Sequence, residues 1–240
     1  MSRSRGSRGH SYEGESQNTL LTGVILLGGI LFVIAAAWWF WNYSKSQAIQ
    51  TPLMVGAGFD VSQSVSREQK LRGVAFLNKL VGTVLPTRTP IKIWRYAETM
   101  ETIHQSRPIA SKELNTVTRK MIENYMGTWG TRPDKVMQDF QRYLQQLPDR
   151  RAILCLFTDG ECHSPQETRA IANQLAQDPQ VVAVVVGPVL DKYRASVEND
   201  YYEPLNNAGK LLVFGETDAY DALDRLKERL KALDSKTQEN

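Results

Sequence analysis

Two runs of six apolar residues, Ala152-Ile153-Leu154-Cys155-Leu156-Phe157 and Val181-Val182-Ala183-Val184-Val185-Val186, constrain the fold of this chain more than any other feature. A strand without polar alternation is covered on both faces, and sheets covered on both faces are mostly parallel, with crossover helices above and below. The same alternation extends in both directions. Leu53-Met54-Val55-Gly56-Ala57-Gly58-Phe59 is a third apolar run. Ser66 and Gln69 have capping-box spacing and open a helix whose apolar face is expected at Leu71, Val74, Ala75, Leu80, Val81 and Val84. A strand at Ile91-Lys92-Ile93-Trp94-Arg95-Tyr96 follows, with a short one near 102–104. The pattern predicts a helix over 112–126 with Leu114, Val117, Met121 and Tyr125 inward. Another opens at Pro133, a residue favoured in a first helical turn, and buries Val136, Met137, Phe140, Tyr143, Leu144 and Leu147. Ser164 and Glu167 repeat the capping-box spacing before a helix that stops ahead of Pro179. A strand at 211–214 and a helix over 218–233, with Leu223, Leu226, Leu230 and Leu233 on one side, complete the series. The expected class is α/β: a doubly wound, mostly parallel sheet flanked by helices.

Residues 20–41 contain no charge and are long enough, as a helix, to cross a hydrocarbon core of about 30 Å. Trp38, Trp39, Trp41 and Tyr43 cluster at the far end like an interfacial belt. The competing reading is a cleaved signal peptide with Ala35-Ala36-Ala37 at the cleavage site, but apolar regions of signal peptides run only ~7–15 residues. The expected organisation is therefore a polar cytoplasmic tail over 1–19, one transmembrane helix over 20–43 and a linker over 44–50. The domain follows over 51–233, with a polar tail over 234–240. Arg3, Arg5 and Arg8 flank the run on one side and only Lys45 on the other, which places the tail in the cytoplasm. The domain then lies on the far side: periplasmic, lumenal or extracellular. Once the tail is set aside the chain is nearly neutral, and no stripe of Lys or Arg marks a nucleic-acid surface. Cys155 and Cys162, one inside an apolar run and one past its end, are too far apart along an extended strand to pair.

Asp60-Val61-Ser62-Gln63-Ser64 follows the first apolar run directly and gathers hard oxygen donors where a core has no use for them. Such donors suit a small divalent cation, Mg²⁺ above all; a plain serine-rich turn is the bland reading. Ligand sites in doubly wound sheets lie beyond the carboxyl ends of the strands. Asp60 is at one such end, and Asp159, in Leu156-Phe157-Thr158-Asp159-Gly160-Glu161, is at another. The loop Gly127-Thr128-Trp129-Gly130-Thr131 brings Thr131 to the start of a helix, where an ordinary N-cap is the alternative.

Together these three pieces resemble the von Willebrand factor A domain and its metal-ion-dependent adhesion site. The resemblance spans 51–233 and implies one divalent ion, Mg²⁺ or Mn²⁺. It implies hydroxyl ligands from Ser62, Ser64 and Thr131, with Asp60 and Asp159 bound directly or through water. Thr131 matches better than Thr128, because five residues on it has Val136, where the family buries a small apolar residue, whereas Thr128 has Pro133. Val65 replaces the methionine common in the family, and Gly58-Phe59 before Asp60 is unusual; neither breaks the motif.

Two carboxylates and three hydroxyls leave a divalent ion short of ligands, so the open position favours a partner's Asp or Glu. Trp129 is a candidate aromatic contact for that partner, or a lid over its own helix, and His163 is the one histidine of three expected near the edge. Cys162 with His163 supplies two soft ligands, too few for zinc. An aspartyl phosphatase would usually need a second acid two positions after Asp60; Ser62 is there instead. The expectation is a membrane-anchored, cation-dependent protein-binding module for adhesion or complex assembly, not an enzyme. The alternatives are an assembly factor whose site is vestigial or stabilising and, less favoured, a metal-dependent hydrolase.

Overall fold

The computed structural model describes residues 32–38, 49, 51–123 and 129–238. The chain divides into two units, Met1–Ala48 and Ile49–Asn240. In the first, 32–38 are helical, and the remainder of the expected 20–43 span lies outside the described residues. Among the described residues no helix is long and apolar enough to cross a membrane. The expected positions at Tyr125 and Thr128, and the side chain of Met121, also lie outside them.

The second unit is built on a six-stranded sheet of order β3-β2-β1-β4-β5-β6. Its strands are β1 Leu53–Asp60, β2 Ile91–Tyr96, β3 Met100–Arg107, β4 Arg151–Phe157, β5 Val181–Val186 and β6 Leu211–Val213. Every pairing is parallel except β2 with β3. Winding proceeds outward from β1 to β3 and then restarts at β4 on the other side of β1. The strand order therefore reverses between β1 and β4, and the crevice beyond their carboxyl ends is the place a doubly wound sheet offers a ligand.

The helices are α1 Arg67–Thr83, α2 Ser111–Glu123, α3 Pro133–Gln146, α4 Pro165–Gln177, α5 Asp191–Ser196, α6 Glu203–Asn207 and α7 Ala219–Gln238. A π-helical turn, Val197–Tyr201, joins α5 to α6. One sheet face packs Val55, Ala57, Phe59 and Phe157 against Phe76, Leu77 and Leu80 of α1, Leu114 of α2, and Leu223, Leu226 and Leu230 of α7. The other packs Met54, Trp94, Tyr96 and Leu156 against Val136, Phe140 and Tyr143 of α3 and Ile171 and Leu175 of α4. Strands covered in this way on both faces account for the unbroken apolar runs of β4 and β5.

Three local expectations are corrected. Of the expected face, Leu80 and Val84 are buried and Val74 and Val81 pack against the core, but Leu71 is 47% exposed and Ala75 is exposed, and Gly73, Phe76 and Leu77 carry the burial in their place. Gly73 sets this register: a Cβ there would lie 2.9 Å from Phe157, so the helix approaches the sheet along its glycine. The capping box at Ser66 and Gln69 forms, but the second does not. The Ser164 hydroxyl donates to the buried carboxylate of Asp134, and its oxygen accepts no amide of the helix start. Finally, 191–207, for which no element was expected, is three short helical turns, and the strand expected near 102–104 extends over Met100–Arg107. The domain also reaches past its expected limits. Ile49 joins the core, and the Thr51 amide donates to Asp234 Oδ1 at 2.8 Å on α7.

Candidate metal centre

Asp60 is the last residue of β1, where the chain leaves the sheet at the point of reversed strand order. Its two carboxylate oxygens are held separately. Oδ1 accepts the Ser62 amide at 2.8 Å, which turns the chain, and Oδ2 accepts the Thr158 hydroxyl at 2.9 Å from beyond β4. The Ser62 hydroxyl is 3.2 Å from both Ser64 Oγ and Thr131 Oγ1, so three hydroxyls form a row with Ser62 at its centre. Ser62 and Thr131 are buried and Ser64 is exposed. Asp159, 1% exposed, follows Thr158; its Oδ1 accepts the Glu161 amide at 3.0 Å.

Thr131 is fixed from two sides. Its amide donates to His163 Nδ1 at 3.0 Å, and the His163 amide donates back to the Thr131 carbonyl at 2.9 Å. The next amide, of Arg132, bonds the Ala97 carbonyl at 3.0 Å beyond β2. Gly130, with φ of +110°, makes the turn in the left-handed region; a Cβ would lie 2.5 Å from the Glu98 carboxylate. His163 therefore holds the loop through a ring nitrogen that acts as acceptor, leaving the other to carry the proton. That second nitrogen is 3.8 Å from Glu161 Oε1. Trp129, two residues before Thr131, is 80% exposed.

Among the described residues neither Asp60 nor Asp159 forms an ion pair, although Lys70, half-buried at the start of α1, feels the charge of Asp60. Burial pushes the Asp60 carboxyl up to about 6; the bonds from Ser62 and Thr158 oppose this, and the nearby charge of Asp159 adds to it. Another buried carboxylate, Asp134 at the start of α3, is compensated. Both its oxygens take bonds from Arg132 at 2.9 Å, and Ser164 adds a third. Burial would raise its pKa, but these bonds bring it below the usual range.

Two participants were not singled out from sequence. Thr158 lies inside the Thr-Asp-Gly turn, yet its bond to Asp60 spans 98 residues and exists only once β1 and β4 pair. Tyr96 is level with Asp60 on the adjacent strand, and its buried hydroxyl has no hydrogen-bond partner. Burial, followed by the field of Asp60, raises that phenol well above its ordinary value, and the nearby Thr158 hydroxyl, outside hydrogen-bond geometry, opposes this.

The residues present suit a hard divalent cation. Among the described residues the carboxylates have no ion pair, the donors are all oxygen, and a hydroxyl without a hydrogen-bond partner lies beside them. They do not suit a soft metal, because His163 Nδ1 is engaged by Thr131, and Cys162 Sγ lies 3.4 Å from the Thr168 hydroxyl. Among the described residues no group of three or more His, Cys, Asp or Glu could hold a metal ion, so coordination would depend on the hydroxyls.

No protein-family model matches the sequence, and no curated protein does. Solved structures do match in fold. One is a von Willebrand factor type A from Catenulispora acidiphila, 12% identical, TM-score 0.53, covering 75% of this chain and 42% of that one. The manganese-loaded TRAP protein of Plasmodium vivax is 15% identical, TM-score 0.56, with 76% and 74% covered. An aerotolerance-related membrane protein of Bacteroides fragilis, carrying multiple mutations to serine, is 12% identical, TM-score 0.55, with 75% and 99% covered. At these identities the likeness is one of fold, and the fold is that of the von Willebrand factor A domain.

Proposed function

We propose that this von Willebrand A fold is a membrane-anchored module that binds a partner protein through a divalent cation, Mg²⁺ or Mn²⁺. The observation that supports this most is the pair of buried, unpaired carboxylates, Asp60 and Asp159, beside three hydroxyls at the sheet's switch point. Ser62, Ser64, Thr131, Asp60 and Asp159 would hold the ion. When bound, it would supply Lewis acidity toward an anionic oxygen, such as a partner's Asp or Glu carboxylate.

The chain's own residues prepare that encounter. Thr158 and the Ser62 amide orient Asp60, and His163 and the Gly130 turn fix Thr131. Exposed Trp129 offers an aromatic contact to the arriving partner. Binding rather than catalysis is favoured because Nδ1 of His163, the histidine at this edge, is committed to the Thr131 amide. The manganese carried by the TRAP structure and the membrane origin of the Bacteroides fragilis protein agree with this reading. The uncharged run 20–41 would anchor the chain, with the domain on the side away from the arginine-rich tail.

The test is capture of the partner from native membranes by the full chain, with Mg²⁺ and with EDTA. Capture should need the cation and fall sharply with Thr131→Ala, which removes one hydroxyl without changing charge. Capture that survives both conditions would leave an assembly factor with a merely stabilising site. Cation-dependent turnover of a phosphoester, with capture unaffected, would make the chain a hydrolase.

A further inference from the structure

At the opposite end of the sheet, where the strands begin and the chain enters at Ile49, cations collect without carboxylate partners. Arg150 donates to the Leu53 carbonyl at 2.9 Å and Arg151 to the Pro179 carbonyl at 2.6 Å. Lys210 donates to the Asp178 carbonyl at 2.7 Å, and Arg229 Nη2 to the Leu211 carbonyl at 3.3 Å. Those carbonyls belong to the first residue of a strand or to the turn leading into one. Arg229 Nη1 is buried without a partner, and Arg88 is exposed in the loop before β2. Among the described residues none of these five cations forms an ion pair.

Elsewhere in the domain several arginines do pair, although others, Arg67 and Arg225 among them, form no ion pair among the described residues. Arg72 meets Glu68 and Glu216, Arg132 meets Asp134, Arg169 meets Glu203, and Arg194 meets Glu198 and Asp218. Three acids at the strand-start end, Asp149, Asp178 and Asp234, offset the five cations only in part. Asp178 accepts the amide of its own turn, at Gln180, and Asp234 accepts that of Thr51. Asp149 is exposed, and Glu113 is taken by Arg107. Burial is the main influence on the basicity of two of the cations. Burial and then the neighbouring Arg225 depress Arg229. Burial depresses Lys210 as well; Asp178 opposes this and Arg151 reinforces it. Carbonyls satisfy donors but leave the charges whole, so this end keeps a surplus of positive charge.

We propose that this end of the domain docks on an anionic phospholipid surface, that of the membrane entered by the run 20–41. The inference rests on reading 20–43 as an anchor, since only residues 44–48 then separate the bilayer from Ile49. Phosphate oxygens match both the fork of arginine and the point charge of lysine. Attraction of this kind acts within a Debye length of about 10 Å, a distance such a short connection can maintain. Docking by the strand starts would turn the Asp60 end away from the lipid. The eight residues of β1 would then hold the metal centre about 25 Å above the headgroups, facing a partner.

The experiment uses the full chain in nanodiscs of phosphatidylcholine alone or with about one-third phosphatidylglycerol. Phenylglyoxal modification of Arg88 and Arg151 is followed by peptide mass spectrometry, with exposed Arg67 at the metal end as internal control. Each cation near an anionic leaflet biases docking about fivefold, so Arg88 and Arg151 should react at least about threefold more slowly in the anionic discs only. Arg67 should be unchanged, and protection should vanish in about 0.5 M salt. Arg88→Glu, an exposed change that leaves the fold intact, should weaken the protection of Arg151. Equal rates in the two discs would overturn the inference while leaving the anchor standing. So would equal protection in neutral discs by about 10 mM inorganic phosphate, which would mark a free-anion site. A chain washed off the discs by concentrated salt would refute the anchor and the inference with it.

Discussion

The Asp60→Asn substitution separates the electrostatic cost of the metal centre from its use. Without a cation, burial raises the Asp60 carboxyl from 3.8 to about 6. That shift of roughly two units costs the folded state about 3 kcal/mol whenever the group is ionised. The folded pKa is above the unfolded one, so the folded domain takes up the proton first. The penalty is therefore full above about pH 6, shrinks as pH falls from 6 towards 4, and is absent below. Asparagine removes it at every pH while its carbonyl still accepts the Ser62 amide and its amide group faces Thr158. In EDTA at pH 8 the variant should be more stable by about 2–3 kcal/mol. For a domain of this size that is about 5–10 °C in Tm. The gain should fade to nothing near pH 4. Thermal melts of both proteins across this range suffice. Only their difference matters, because carboxylates held low by hydrogen bonds, such as Asp134 and Asp139, lose stability in acid equally in both. With Mg²⁺ at ten times its Kd, the native protein alone should gain about 1.4 kcal/mol. A variant less stable than the native protein at pH 8 in EDTA, or a gain independent of pH, would refute the reasoning.

Packing and the orphaned hydroxyl give two further tests. At Gly58 a Cβ would lie 2.9 Å from Val136 and 3.2 Å from Leu156, so Gly58→Ala should cost about 1–3 kcal/mol in urea denaturation. Gly82→Ala, on α1 with nothing within 4 Å, should instead add up to about 1 kcal/mol. Tyr96→Phe deletes only a buried hydroxyl without a partner, so metal-free stability should hold or rise by about 1 kcal/mol; a loss of that size would mean that the hydroxyl has a partner.

Much of the architecture was legible because burial leaves a local trace. Apolar runs at 152–157 and 181–186 announced strands covered on both faces, and Pro133 announced its helix. Asp60, Ser62, Ser64 and Asp159 were expected just past the ends of two strands, and Thr131 at the start of a helix, and the elements lie where those expectations need them. Less local features were hidden. The face of α1 is set by Gly73 against Phe157, a contact that apolar periodicity does not weigh. Ser164 had a cap's spacing, but Asp134, thirty residues away, took its hydroxyl. The bonds of Thr158 to Asp60 and of His163 to Thr131 join residues that only the folded sheet brings together. Pairing of cations follows the same rule: no local pattern distinguishes Arg151, bonded to a carbonyl, from Arg169, bonded to Glu203.

The central claim, a divalent cation held by Asp60, Ser62, Ser64, Thr131 and Asp159 with a position left open, is tested most directly by Mn²⁺ titration followed by electron paramagnetic resonance. The detergent-solubilised chain should bind one Mn²⁺, displaceable by Mg²⁺ and lost in Asp60→Ala. The bound ion should retain exchangeable water that a carboxylate ligand removes. Absence of saturable binding, or binding undiminished by Asp60→Ala, would contradict the account.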